Sequence, residues 1–463
     1  MKSEDHRGGS SPGVVRELIR LALPLSFIHL SIHLTSLVDT IVAGHLGDVA
    51  LAGVGLGSST FFTASIFGLG VGLGLDPIIS QALGGGRSWD ARHALWQGLY
   101  LALLMSVPMG VLAVGIAESL HLFGVVSEVA EDARGYVWAR LLNVVGLYGT
   151  VVLRSYLQAA HRIRPIVISA VVANVANLVL DILLAFGDEG WVRWGLPPLG
   201  LSGWGVAGIG WASTLTGFVQ LGVLALAVRG VRIPSRKRSL RELDWRLIRR
   251  LTQIGVPIGT QLLAEVGIFT LVQVIMATIS TRAAAAHQTA LMLSSLSFSV
   301  CLGIGAATAV QVGRAIGADD LPRARAAGMV GIGVSVLFML VPAGLMVGIP
   351  GTLCGWITAD PDVLDLAVQL LLIAAVYQVV DGAQAVASGA LRGVGVTRWS
   401  MGAHLISHWL VGFPLGLFLG FGLGMGPSGF WWGLTAGLGA AAISLSVKFF
   451  RVSAGSIEAL RVD

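Results

Sequence analysis

Charge and cysteine are what this sequence has least of. Only 12% of its 463 residues are Asp, Glu, Lys or Arg, against roughly 25% in a soluble domain. So few charges cannot cover a surface in water, which excludes a water-soluble globular protein. The two cysteines, Cys301 and Cys354, lie in separate apolar segments, so neither a disulfide framework nor a CxxC metal site is present. The glycine runs at Gly53 to Gly57 and Gly68 to Gly74 are not followed by Gly-Lys-Ser/Thr, so they are not phosphate loops. No nucleophile triad or ATPase motif is visible, and neither an enzyme nor a bound cofactor is expected. A net charge of +5 would suit nucleic acid in a soluble chain. Here the basic residues sit in loops, and no nucleic-acid partner is implied.

Apolar residues are abundant, at 55% of the chain with a mean hydropathy of +0.81. The 63 glycines suit helices that pack closely in lipid. Twelve apolar runs stand between polar punctuation, near 18–44, 51–82, 93–117, 133–158, 165–186, 203–228, 247–278, 285–313, 325–349, 364–390, 398–420 and 428–450. At about 1.5 Å per residue, each is long enough to cross a hydrocarbon layer of roughly 30 Å. The expected class is an all-α polytopic membrane protein in contact with the lipid bilayer. The first run is too long for a signal h-region and lacks a small-x-small cleavage site, so it is expected to remain as an anchor.

The arginines and lysines predict the orientation. With both ends cytoplasmic, 26 of the 30 fall in inner loops and tails, and only Arg134, Arg140, Arg193 and Arg282 fall outside. That bias requires an even number of spans. It predicts a multi-pass protein of the cell's inner (plasma) membrane. Acidic residues such as Glu128, Glu131, Asp188 and Asp360 gather in the outer loops. Trp191, Trp194, Trp204, Trp431 and Trp432 are expected to form an outer aromatic belt.

The basic stretch Arg229 to Arg250 divides the chain into halves that resemble each other. Pro24 corresponds to Pro257, and Gly86 with Arg92 to Gly317 with Arg323. Gly205, Gly208, Trp211 and Thr214 match Gly426, Gly429, Trp432 and Thr435 at identical spacing. Six spans per half insert the same way up, which predicts two six-helix lobes related by a pseudo-twofold along the membrane normal. The expected organisation is an N-terminal tail at 1–17, an N-lobe at 18–228 and a linker at 229–246. A C-lobe at 247–450 and a tail at 451–463 complete it. Such a chain is expected to act as a monomer, with a substrate cavity between its lobes.

Five acids fall inside the runs: Asp39, Asp76, Asp181, Glu265 and Asp381. An acid at membrane depth costs about 2.5–3.5 kcal/mol on the insertion scale and marks an ion or substrate pathway by default. Asp39 and Asp181 reach similar depth, and Asn177 stands one turn below Asp181 on the same face. Two acids and an amide suit a proton or a hard monovalent cation such as sodium, against the plainer reading of a hydrogen-bonded tie between helices. Glu265 and Asp381 form a second pair, with Tyr377, Gln378 and Gln384 near Asp381. Asp76, close to the Gly84-Gly85-Gly86 exit, reads as structural. The pairs His29/His33 and His404/His408 have metal-ligand spacing but no evident third ligand.

The pattern resembles the multidrug and toxic compound extrusion (MATE) transporters over almost the whole chain. The resemblance is carried by Pro24 with Asp39 and Ala43 to Gly47, the Gln81 to Gly86 exit, and Asn177-x-x-x-Asp181. In the second half it is carried by Pro257 with Glu265, His287-Gln288, Gln311 to Gly317, and Asp381 through Gly393. It implies export of cationic or amphipathic organic compounds in exchange for Na+ or H+ by alternating access. It also implies that Asp39, Asn177 and Asp181 form an N-lobe coupling site. Glu265, Asp381 and Tyr377 would form a C-lobe site of the NorM type, and Gln288 and Gln384 line the substrate cavity. Ile32 departs from the pattern, standing where some relatives place a glutamine. A flippase of lipid-linked oligosaccharides would want a basic cavity. A receptor or scaffold would leave the intramembrane acids without a task.

Overall fold

The structure is a computed structural model that describes residues 11–192, 197–198, 200–231, 239–455 and 457–460. Lys2, Arg7, Arg193, Trp194, Arg232, Arg236, Lys237, Arg238 and Arg461 lie outside the described residues. The described chain is helical, with one isolated antiparallel bridge between Gly187 and Ser202. In chain order the helices of the first half are α1 (Ser11–Leu46), α2 (Asp48–Leu73), α3 (Leu75–Gly84), α4 (Ser88–Ser119) and α5 (Ser127–Arg140). They continue with α6 (Asn143–Ala159), α7 (Ile163–Phe186), α8 (Asp188–Val192) and α9 (Gly205–Arg229). The second half holds α10 (Trp245–Ile279), α11 (Thr281–Gly317), α12 (Leu321–Gly348) and α13 (Pro350–Gly355). It ends with α14 (Pro361–Val394), α15 (Thr397–Leu405), α16 (Phe413–Leu417) and α17 (Pro427–Ser453). Among the described residues eleven stretches are long and apolar enough to cross a membrane, or twelve when the bent pair α5/α6 counts as one span.

The breaks have local causes. The run expected over 51–82 divides at Gly74 because Pro77 donates no N–H and crowds the carbonyl of Leu73. Between α5 and α6 the chain turns by 50°. There Leu141 N bonds Trp138 O at 3.2 Å and Val144 N bonds Leu141 O at 3.4 Å, so three-residue turns replace the helical ladder. After α15 the eleventh span loosens into π-helical stretches at Ile406–Gly412 and Phe418–Gly422. Gly412, Gly416 and Gly420 on that span meet α17 at Gly429, Gly433 and Gly437, where a Cβ would collide with backbone. This is the small-residue packing of membrane helices at four-residue spacing.

Both ends of the described chain make contacts. α1 already begins at Ser11, because Val14 and Leu18 are buried. Glu17 meets Arg323 at 2.7 Å on the polar side. Beyond α17, Ile457 and Ala459 pack on the cluster around Leu391 and Phe449. Leu460 N donates to Gln81 Oε1 at 2.6 Å.

The repeat read from sequence extends to backbone detail. Gly205 and Gly426 have φ of 55° and 56°. Gly208 and Gly429 each press on backbone, of Leu184 and Gly420 respectively. Arg87 N to Ala82 O, at 2.8 Å, is matched by Asp320 N to Ala315 O, at 2.9 Å. Arg162 N to Leu157 O is likewise matched by Val396 N to Leu391 O. Equivalent turns thus close equivalent spans.

The chain packs as two compact units. One contains the residues through His29, Asp76–Arg87 and the residues from Thr260 onward; the other contains Leu30–Leu75 and Ser88–Gly259. Each unit therefore borrows a stretch from the opposite half of the sequence. In the first, Gly303 of α11 lets the backbone of Ser26 in α1 approach. In the second, Gly70 of α2 admits Gly259 of α10 in the corresponding way. The linker is also anchored in the second unit: Gln97 donates to Glu242 O at 2.8 Å and Tyr100 to Arg241 O at 2.9 Å.

Candidate functional site

The second unit gathers polar side chains from four helices around Asp39. Asn177 Nδ2 donates to Asp39 Oδ1 at 3.1 Å. Tyr136 OH and Ser213 Oγ each donate to Asp39 Oδ2 at 3.3 Å. Asp39 is 6% exposed, and Tyr136, Asn177 and Asp181 are wholly buried. Asp181 neighbours Asp39, Asn177 and Arg140 electrostatically. Both its carboxyl oxygens, and Oδ1 of Asn177, are buried without a hydrogen-bond partner. Buried polar oxygens are ordinarily satisfied, so this cluster has more acceptors than donors.

Arg140 stands behind the cluster. Its Nη1 donates to Tyr136 OH at 2.7 Å, so that Arg140, Tyr136 and Asp39 form one chain of hydrogen bonds. The guanidinium also lies 4.3 Å from the ring centroid of Phe61, on α2. Arg140 counts among the outer residues of the orientation pattern; in the structure it is half-buried against Tyr136 and Phe61. It ends α5 at the 50° bend, and the bend faces it toward the acids. Two carboxylates and one guanidinium leave one negative charge for a proton or a monovalent cation to balance. The unpartnered oxygens fit such a group. Among the described residues no three His, Cys, Asp or Glu side chains gather as metal ligands.

The first unit holds the other candidates. Glu265 on α10 is half-buried, while Tyr377 and Asp381 on α14 are 4% and 5% exposed. The three lie within electrostatic reach of one another. Among the described residues neither carboxylate accepts a hydrogen bond. Tyr377 is walled by Trp431, at 5.5 Å between ring centroids, and by Phe269, at 6.3 Å. Trp431 Nε1 donates to His287 Nδ1 at 3.0 Å. That assigns the His287 hydrogen to Nε2, which is buried and unpartnered. Trp431 is therefore a core residue and not part of an outer belt, whereas Trp204 and Trp432 are exposed.

Gln288 and Gln384 share no partner. Gln288 is exposed on α11, whereas Gln384 is buried against His404. His404 Nδ1 donates to Ser400 O at 2.7 Å, leaving Nε2 to accept from Gln384 and from Gln261. This is a buried amide–imidazole network in which Gln384 Oε1 stays unpartnered, and among the described residues no third ligand joins His404 and His408 to make a metal site. Asp76 is likewise structural, with Oδ2 3.3 Å from Arg392 Nε. Tyr136, Arg140 and Ser213 were not anticipated. Hydroxyls are common in membrane helices and give no signal. Arg140 shares its run with Arg134 and Arg154, so it did not stand out either.

The MatE family model matches residues 24–183 and 257–418, one stretch in each half. A probable multidrug resistance protein NorM of Bradyrhizobium diazoefficiens is 34% identical over 444 residues, covering 94% of this chain and 92% of that protein. One of Pseudomonas aeruginosa is 34% identical over 454 residues, covering 95% and 90%. The fold matches the eukaryotic MATE transporter AtDTX14 with a TM-score of 0.82 at 20% identity, over 96% of this chain and 98% of that one. It also matches an outward-facing multidrug resistance MATE family transporter of the MOP superfamily, with a TM-score of 0.82 at 19% identity over 97% and 99%. The chain belongs to the MatE family, with its two-lobe, all-α, multi-pass membrane fold, and is a transporter rather than an enzyme.

Proposed function

We propose that this transporter exports cationic or amphipathic organic compounds, drugs among them, in exchange for Na+ or H+. The relatives that are 34% identical carry the name multidrug resistance protein, which supports the substrate class. The observation that carries the coupling is the acceptor excess at Asp39, Asn177 and Asp181. With Arg140 present, the pair of carboxylates has one negative charge to be balanced. A coupling ion and an organic cation both balance it, and only one is needed. Each therefore favours the departure of the other, the differential affinity that antiport requires. Tyr136, Ser213 and Asn177 hold Asp39 in place and donate to its charged form. Asp181, buried beside Asp39 and Asn177, is the group that takes the proton or the cation. Glu265 and Asp381, beside Tyr377, form the second candidate site and suit Na+. The protein works in the bacterial inner membrane with both termini cytoplasmic, as a monomer, cycling by alternating access.

The lipid-linked oligosaccharide flippase is disfavoured because these clusters hold four carboxylates against one guanidinium, where a pyrophosphate needs the reverse. A receptor or scaffold would gain nothing from buried oxygens left without donors. The test is efflux of a fluorescent cationic dye from proteoliposomes, with sodium and proton gradients imposed separately. Acceleration by the proton gradient, reduced about tenfold or more in Asp39→Asn and Asp181→Asn, is the expected result; a tenfold loss corresponds to about 1.4 kcal/mol. Acceleration by sodium alone would move the coupling to Glu265 and Asp381. If both N-lobe variants insert correctly and export at the normal rate, that site is not the coupling site. No response to either gradient would promote the flippase.

A further inference from the structure

The last turns of α17 carry Ser444, Val447, Lys448 and Arg451 at spacings of three and four residues, which places them on one face. With Ile443 and with Trp399 of α15 they line a cleft of about 230 Å³. Lys448 Nζ lies 4.6 Å from the ring centroid of Trp399. Ile443 is 68% exposed, and Trp399 and Val447 are about half so. On a membrane-spanning helix such apolar exposure faces lipid. Among the described residues, neither Lys448 nor Arg451 has a carboxylate partner, and the Trp399 indole N–H has no acceptor.

The plainer reading is a pair of snorkelling cations at a helix end. A snorkelling lysine, however, extends its ammonium toward water, and this one folds over an indole on the wall of a cleft. The cleft has donors at its polar end and an apolar wall along the helix. We propose that it binds an acidic phospholipid. Lys448, Arg451 and the Trp399 N–H hold the phosphate, while an acyl chain lies along Ile443 and Val447. Basic pockets at the ends of membrane helices recognise anionic headgroups in this way. The lipid bridges α15 to α17. Because α15 leads directly into the π-helical stretch at Ile406–Gly412, the bound lipid pins one end of the least regular span in the chain. This site is independent of the carboxylates and of the coupling ion.

The test is native mass spectrometry of the full chain released from bilayers of mixed phosphatidylcholine and phosphatidylglycerol. Wild-type protein should retain phosphatidylglycerol preferentially. The Lys448→Ala/Arg451→Ala variant should retain roughly tenfold less or lower still, since each interfacial cation contributes about a factor of five. Arg398→Ala, beside Trp399 but outside the cleft, should behave as wild type. Millimolar inorganic phosphate should not displace the lipid. Equal retention by the double variant, or no preference for phosphatidylglycerol in wild type, would overturn the site. Displacement by inorganic phosphate would replace the lipid with a free anion and overturn the lipid assignment. Melting curves with and without phosphatidylglycerol give a second readout, in which only wild type and Arg398→Ala should be stabilised.

Discussion

Arg140 is joined to Asp39 through the Tyr136 hydroxyl, which ties it to the coupling proposed for the acids. A carboxylate inside an apolar run is legible in sequence because burying it uncompensated is expensive, and Asp39 and Asp181 stood out for that reason. The arginine beside them counts among the outer residues of the orientation pattern, and nothing in linear position joins it to Asp39. Only the bend between α5 and α6 faces it inward. Arg140→Gln removes the charge while keeping a donor for Tyr136 OH. The groups around Arg140 are Asp39 on α1, Phe61 on α2, Tyr136 on its own helix, Asn177 and Asp181 on α7, and Ser213 on α9. Dye export at neutral pH should fall about tenfold to a hundredfold, in line with the roughly 1.5–3 kcal/mol of a charged hydrogen bond. Arg140→Lys should restore part of that loss. Export at the normal rate by a correctly inserted Arg140→Gln would remove Arg140 from the coupling machinery.

Among the elements, α10 shows how a helix end outside the membrane is secured. Asp244 stands at its N-cap and accepts from Arg246 N at 3.0 Å and Leu247 N at 3.1 Å, with His93 Nε2 3.6 Å away. Partial burial pushes its carboxyl up. The Leu247 N–H, the His93 ring and the Arg246 N–H together outweigh that and hold it below the usual carboxylate range. A group whose pKa is lowered on folding adds stability above its unfolded pKa and loses it as pH falls through the folded one. Asp244→Ala should therefore cost about 1 kcal/mol at pH 7, and the difference from wild type should shrink below about pH 4. Melting of purified protein across that range measures it, and a difference independent of pH would mean that the cap acts through shape alone. Such caps were within reach of sequence reasoning. The π-helical stretches after α15 were not, because they depend on the glycine face of α17 that the span packs against.

For the whole molecule, the described end of the chain is part of the structure. Arg87 Nη2 donates to Leu460 O at 3.3 Å, and Gln81 joins Leu460 N to the carbonyls of Gly393 and Val394. Truncation after Ser453 should leave Gln81, fully buried, with an unsatisfied carbonyl oxygen. The expected loss is about 1–3 kcal/mol, seen as a melting temperature lower by several degrees with insertion intact. An unchanged melting temperature would show that the tail carries no stability. By itself the sequence determined the membrane class, the twelve spans, the internal repeat and the carboxylates. All of these are signals of hydropathy, spacing and cost that survive in one dimension. Tertiary structure alone decided which residues keep company. It grouped the residues through His29 and Asp76–Arg87 with the second half and the part of α10 before Thr260 with the first, turned Arg140 toward Asp39 through Tyr136, and sank Trp431 into a core. The reason is physical: bends, glycine crossings and shared helices depend on the surface each segment meets, and no segment carries that surface in its own sequence.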